Sequence, residues 1–175
     1  MFKASALKSK TPSHTTGQSK ETKKCQGCQK SLPLHRFELD KRNNLRRKTC
    51  ILCRSNRGRE KMNNNPLRYI DNLYSQLKYR RKKTHEFTVT KEYLHYLWKK
   101  QKGICRYSGM KMTHIKDGTG YHLSNVSIDR IDNNKGYVKR NIALVCLATN
   151  MMKYTLDLDE LVDWCKLIAD NNRSK

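Results

Sequence analysis

No apolar run in this chain approaches the ~18 residues that would argue a membrane-spanning helix. The first 24 residues are basic but lack the apolar block of a secretory signal. The protein is therefore expected to fold in a reducing cell interior, where paired cysteines are zinc ligands more often than disulfides. Apolar side chains are scarce: hydrophobic residues make up 36% of 175 residues and mean hydropathy is −0.92. The core must be modest, and metal staples would help it. Acidic residues are scarcer still, with 15 Asp and Glu against 38 Lys and Arg, which leaves a net charge of +23. A clustered excess of that size points to a polyanion partner, nucleic acid above all.

What is present begins with a basic arm. Residues 1–24 hold six Lys, one Glu and many Ser and Thr with no periodicity, and are expected to be disordered. Residues 25–62 are expected to form a four-cysteine zinc module with a basic helix. Cys25-x2-Cys28 and Cys50-x2-Cys53 each put two thiolates on one knuckle, and two knuckles complete a tetrahedral zinc shell. Four thiolates leave no open position, so this single Zn2+ is read as structural. Residues 41–61 carry nine Lys or Arg and one Glu, a basic ridge suited to phosphates. Arg46, Arg47, Arg54, Arg57 and Arg59 are its candidate DNA contacts, to phosphate or to guanine edges.

A helical region is expected over 63–103. Asn65-Pro66 opens a helix whose Leu67, Ile70, Leu73 and Leu77 fall at helical spacing, and Lys78 to Lys83 end it with another basic cluster. Thr90 caps a second helix with Tyr93, Leu94, Leu97 and Trp98 on its apolar face, and Gly103 closes it. A last helix over 156–175 is expected to pack on the core through Leu158, Leu161, Val162, Cys165 and Ile168.

Between them, residues 104–155 hold the organising stretch, Ser127 to Lys153. Val126 and Ile128 alternate with polar neighbours, so a short strand delivers Asp129; Asn133 to Gly136 is turn chemistry. Ile142 to Val145 is an apolar run of strand length, and a helix begins near Ala148. The order strand, loop, strand, helix can bring the Asp129 carboxylate and the Asn150 amide to one place. Hard divalent cations prefer such oxygen donors. Lys135, Lys139 and Lys153 lie where phosphates would pass, as positioning contacts.

This stretch resembles the ββα-metal, or HNH (His-Me finger), nuclease motif. The resemblance implies an α+β fold and a DNA endonuclease in which Asp129 and Asn150 hold one Mg2+ or Mn2+ ion and Asn141 pins the hairpin. It implies phosphodiester hydrolysis in duplex DNA, leaving 5′-phosphate and 3′-hydroxyl ends. One position departs from the pattern: the family usually has His after the Asp, as general base, and here it is Arg130, which keeps its proton at any working pH. Restriction-enzyme members that share Asp-Arg take the proton with a tyrosine in the preceding knuckle, accompanied by a histidine. By position these are Tyr107 and His85; Tyr107 is read as the base, and the alternative is His85 as base with Tyr107 only hydrogen-bonding. In that reading Arg130 clamps a phosphate oxygen, and Arg130 or His85 stabilises the Tyr107 anion. Several family members carry a second zinc on two more C-x-x-C pairs. Here those places read Cys105-x2-Ser108 and Cys146-x2-Thr149, so no second zinc is expected, and Cys105 and Cys146 are read as small buried apolar groups, with a second metal on the two thiolates plus a histidine as the alternative. The build fits an intracellular restriction, homing or virus- or phage-encoded nuclease, in cytoplasm or nucleus, acting as a homodimer where both strands are cut. A DNA-binding module without catalysis and a junction resolvase with the same site are the alternatives.

Overall fold

The computed structural model describes residues 21–120 and 122–173, so the basic arm lies outside the described residues up to residue 20. Its last residues do not remain coil. Thr22–Lys24 form a strand, β1, paired antiparallel with β2 (Ser31–Pro33), and the pairing of Lys24 with Ser31 closes the knuckle that carries Cys25 and Cys28.

The chain divides into two compact units, one ending at Arg54 and the other beginning at Ser55. In the first, a 3-10 turn (Leu34–Arg36) leads into a second two-stranded ribbon, β3 (Leu39–Asp40) with β4 (Leu45–Arg46). Its core is small: Cys25, Phe37 and Cys50 are buried, with Leu32 and Cys53 against them. Helix α1 (Ile51–Asn63) starts here and ends in the second unit.

The second unit holds α2 (Pro66–Arg81), α3 (Lys91–Lys100), the hairpin β5 (Val126–Arg130) and β6 (Ile142–Cys146), α4 (Leu147–Lys153) and α5 (Leu158–Arg173). Capping starts α2 and α3 where the sequence predicts. The Asn65 side chain accepts from the N–H groups of Leu67 and Arg68, and Thr90 accepts from Tyr93. The predicted stripe of α2 packs on the core, with Ile70 fully buried. All of β6 is buried, sandwiched by β5 at its edge and by helices, so it reads as a continuous apolar run. The architecture is α+β, as the sequence implies.

The C-terminal helix departs from expectation. Of its predicted buried stripe only Leu161 is buried, at 7% exposure, while Val162 and Ile168 stand out at 41% and 60%. Trp164 and Leu167, outside that stripe, are also exposed. The helix packs on α4, and Leu161 is its one buried residue among those described.

Candidate metal centre

The β5–β6 register pairs Arg130 with Ile142 and leaves an eleven-residue connection, residues 131–141. Asn141 closes it. Its Oδ1 accepts from the Asp132 N–H at 2.9 Å, and its Nδ2 donates to the carbonyls of Asp132 and Gly136 at 3.0 and 2.9 Å. Those bonds make the loop a rigid extension of the hairpin. A Cβ on Gly136 would collide with the Glu86 carbonyl, so glycine there lets the 85–87 segment lie against the loop. The Tyr137 N–H then donates to the Glu86 carbonyl at 2.8 Å.

Residues two apart on a strand share a face, and residues three apart on a helix share a face. Ser127 and Asp129 of β5 therefore meet Asn150 and Lys153 of α4 as two rungs. On the first rung the Asn150 Nδ2 donates to Ser127 Oγ at 2.7 Å, and the amide oxygen has no hydrogen-bond partner among the described residues. On the second, the Lys153 ammonium lies 3.4 Å from Asp129 Oδ2 and donates to the Arg130 carbonyl at 3.0 Å. The Tyr107 hydroxyl donates to the same Asp129 Oδ2 at 2.7 Å. Asp129 Oδ1 has no hydrogen-bond partner among the described residues. One carboxylate oxygen and one amide oxygen thus remain for a ligand. Asp129 and Asn150 both line a cleft of about 400 Å3, with Arg80, Arg81 and Arg130 also on its walls. Two hard oxygen donors at a cationic cleft fit a Mg2+ or Mn2+ ion that keeps open positions for water and phosphate.

Lys153 was expected on the phosphate path and is instead fully buried. Its charge is matched by Asp129, and the spacing from Asn150 to Lys153 is the signal that could have found it. Arg130 also differs from expectation. Its guanidinium donates to the carbonyls of Asn133 and Lys135 at 2.9 and 3.1 Å and lies 5.4 Å over the Tyr137 ring. It braces the loop while still facing the cleft, and neither it nor His85 is the partner of the Tyr107 hydroxyl. Burial first, then the Asp129 carboxylate, push the Tyr107 phenol well above its ordinary value. His85 moves the other way. Burial and the Arg130 and Arg81 guanidiniums hold its imidazole below the ordinary range. Its Nδ1 is 2.9 Å from Thr84 Oγ1, and it lines an adjoining cleft that shares Arg130 and Asn133 with the first.

In the first unit the sulfurs of Cys25, Cys28, Cys50 and Cys53 lie within 4.8 Å of one another, with Cys25 and Cys53 at 3.8 Å. A tetrahedron of ~2.3 Å Zn–S bonds has edges of about 3.8 Å, so the cluster has the dimensions of a zinc shell. The Cys50 backbone N–H, and after it those of Cys28 and Gly27, lower the Cys25 thiol to about 6. A Cβ at Gly27 would lie 2.9 Å from Cys53 Sγ, so the knuckle requires glycine.

Most of the basic ridge is engaged within the protein. Arg46 donates to the Phe37 carbonyl at 2.7 Å, Arg47 pairs with Glu38 and Asp40, and Arg54 pairs with Glu38. Arg59 donates to the Asp117 carbonyl at 2.9 Å. Arg57 is exposed with no ion pair among the described residues, and Lys135 is 68% exposed beside Asp132. Sequence reasoning missed Asn125. It is buried, accepts from Thr113 Oγ1 and the Ile115 N–H, and donates to the Ile115 carbonyl and Tyr69, tying the 113–115 segment to β5.

A hairpin-and-helix site with two oxygen donors, in an α+β chain with a four-cysteine cluster, is the class the geometry defines. No family model matches the chain, and no curated protein does. Among solved structures it is similar to the rare-cutting HNH restriction endonuclease PacI, with 22% identity, 87% of this chain and 96% of that chain covered, and a TM-score of 0.40.

Proposed function

We propose that the protein is a metal-dependent endonuclease of the ββα-metal type that hydrolyses phosphodiester bonds in duplex DNA and leaves 5′-phosphate and 3′-hydroxyl ends. The observation that carries this reading is the joint presence of Asp129 and Asn150, each with an oxygen that has no partner among the described residues, in one cleft walled by arginines. A bound divalent ion would supply charge neutralisation at phosphorus and stabilisation of the departing 3′ oxygen. The chain's own residues do the rest. Asp129 and Asn150 hold the ion, with Lys153 and Tyr107 fixing the carboxylate through its other oxygen. Arg80, Arg81 and Arg130 attract and orient the phosphate. His85, its imidazole lowered by burial and two guanidiniums and held by Thr84, takes the proton of the attacking water. Tyr107 has one observation in its favour as the base: its hydroxyl sits 2.7 Å from a candidate ligand, where a cation would offset the carboxylate charge that now raises its pKa. The cysteine cluster holds one structural Zn2+.

Plasmid DNA incubated with the protein and Mg2+ or Mn2+ tests the reading. Cleavage is expected, and Asp129→Ala should abolish it while DNA affinity persists. Tight binding with no cleavage by the wild type would leave a DNA-binding module, and cutting confined to branched DNA would leave a junction resolvase.

A further inference from the structure

The four positions Cys105, Ser108, Cys146 and Thr149 repeat the backbone frame of the four-cysteine cluster. In the first unit the Cys25 N–H donates to the Lys30 carbonyl at 2.9 Å and the Gln29 N–H to the Cys25 carbonyl at 2.9 Å; in the second, Cys105 N–H to Met110 and Gly109 N–H to Cys105 repeat these at 2.8 and 3.1 Å. Gln29 and Gly109, the fifth residues of the two knuckles, both have left-handed backbone, φ 59° and 69°. The residue after the first cysteine donates to the carbonyl two before the third ligand position, Gln26 to Lys48 at 3.0 Å and Arg106 to Leu144 at 3.1 Å. The N–H of Cys50 points at Cys25 Sγ and that of Cys146 at Cys105 Sγ, both at 3.2 Å. Each knuckle is closed by an antiparallel pair, Lys24 with Ser31 and Ile104 with Lys111, and each second pair opens a helix. Even burial repeats: first and third positions buried, second exposed, fourth between.

What differs is the filling. Thr149 Oγ1 lies 3.4 Å from Cys105 Sγ, and the Ser108 N–H donates to that sulfur at 3.4 Å. A sulfur that accepts from the Ser108 and Cys146 amides and lies against Thr149 Oγ1, whose hydroxyl donates to the Cys146 carbonyl at 2.9 Å, joins the 105–108 turn to the start of α4. Tyr107, at the position where the first knuckle needs Gly27, projects from that turn onto Asp129.

We propose that these four residues form a zinc-type frame held by hydrogen bonds to the Cys105 sulfur in place of a metal, and that Cys105 is thereby the positioning residue that sets the Tyr107 hydroxyl on Asp129. The functional weight of that contact rests on the nuclease reading; the frame itself does not.

Zinc released from the denatured full-length protein and counted with a chromogenic chelator tests the frame. The wild type should hold one zinc per chain and Ser108→Cys/Thr149→Cys two. Two in the wild type, or one in a double variant that keeps a cooperative thermal transition, overturns the proposal. If the double variant does not fold, Ser108→Cys alone, at an exposed position, should bind Co2+ with new thiolate-to-cobalt absorbance, and its absence is equally fatal. Positioning is read from protein labelled with 13C at tyrosine Cζ, the Tyr107 resonance being the one lost in Tyr107→Phe. Cys105→Ala should shift that resonance to the value of exposed tyrosines and leave the others in place. An unmoved resonance, or a shift of every tyrosine together, overturns the positioning role. Neither readout needs cleavage, so a protein that cuts nothing would count against the nuclease reading alone.

Discussion

In the nuclease reading, two opposed shifts bear on which side chain accepts the proton. His85 is held below its ordinary range by burial and two guanidiniums, Tyr107 above its own by burial and Asp129. A base must be unprotonated, so cleavage through His85 should rise with pH through a value below the ordinary ~6.5 of histidine and be flat by neutrality. His85→Ala is expected to lose about 10²- to 10⁴-fold in rate, the span typical of a lost general base, while Tyr107→Phe stays within about tenfold. A pH–rate profile that climbs past neutrality, with the losses exchanged, would move the role to Tyr107. Lys153 carries a separate expectation. Lys153→Met leaves the Asp129 carboxylate buried without its counter-charge, at about 3 kcal/mol of stability, read from the denaturation midpoint. The placing of Asp129 on a strand and Asn150 on the helix that ends the hairpin was legible in the order strand, loop, strand, helix, whereas the place of Asn141 came only with the family resemblance. The place of Lys153 was not legible, because a lysine at a helix end is solvated in most proteins and only its three-residue offset from Asn150 betrays the shared face.

Elements were legible where period and cap agreed. α2 and α3 start at Asn65 and Thr90 because those side chains satisfy N–H groups that the first helical turn leaves free. The apolar stripe of α5 gave the wrong answer about burial, since periodicity reports that a helix has a face and not that the face meets anything. Of that stripe only Leu161 is buried. Leu161→Ala should therefore cost about 2–3 kcal/mol, the ordinary loss for a buried leucine, whereas Ile168→Ala, at 60% exposure, should fall within about 0.5 kcal/mol of zero. Equal losses at the two positions, measured by urea denaturation, would mean that the distal half of α5 is covered in solution. The second knuckle was half legible. Its cysteine spacing and the burial of Cys105 and Cys146 could be read, but the two are more than small apolar fillers, since the Cys146 amide donates to the Cys105 sulfur. Hydrogen bonding at a sulfur leaves no mark in composition or periodicity.

At the scale of the molecule, a charge of +23 says that a polyanion is attracted, not which cations touch it. Several lysines and arginines are spent internally: Arg46 on a carbonyl, Arg47 and Arg54 on carboxylates, Arg59 on a loop and Lys153 on Asp129. Those groups cannot release counterions from DNA without first giving up a bond inside the protein. Exposed ones can, and Arg57 and the basic end of α2 are among them. The cleavage-deficient Asp129→Ala protein isolates this term. If six to ten phosphates are neutralised, its affinity for a duplex should fall by about 10³- to 10⁵-fold between 50 and 200 mM salt. On that background Arg57→Ala should flatten the slope of log affinity against log salt by about one and leave stability intact. Arg46→Ala should do the reverse, lowering the stability of the first unit by stranding the Phe37 carbonyl while the slope holds. A slope that responds to Arg46 and ignores Arg57 would place the DNA on a different face from the one the free arginine marks.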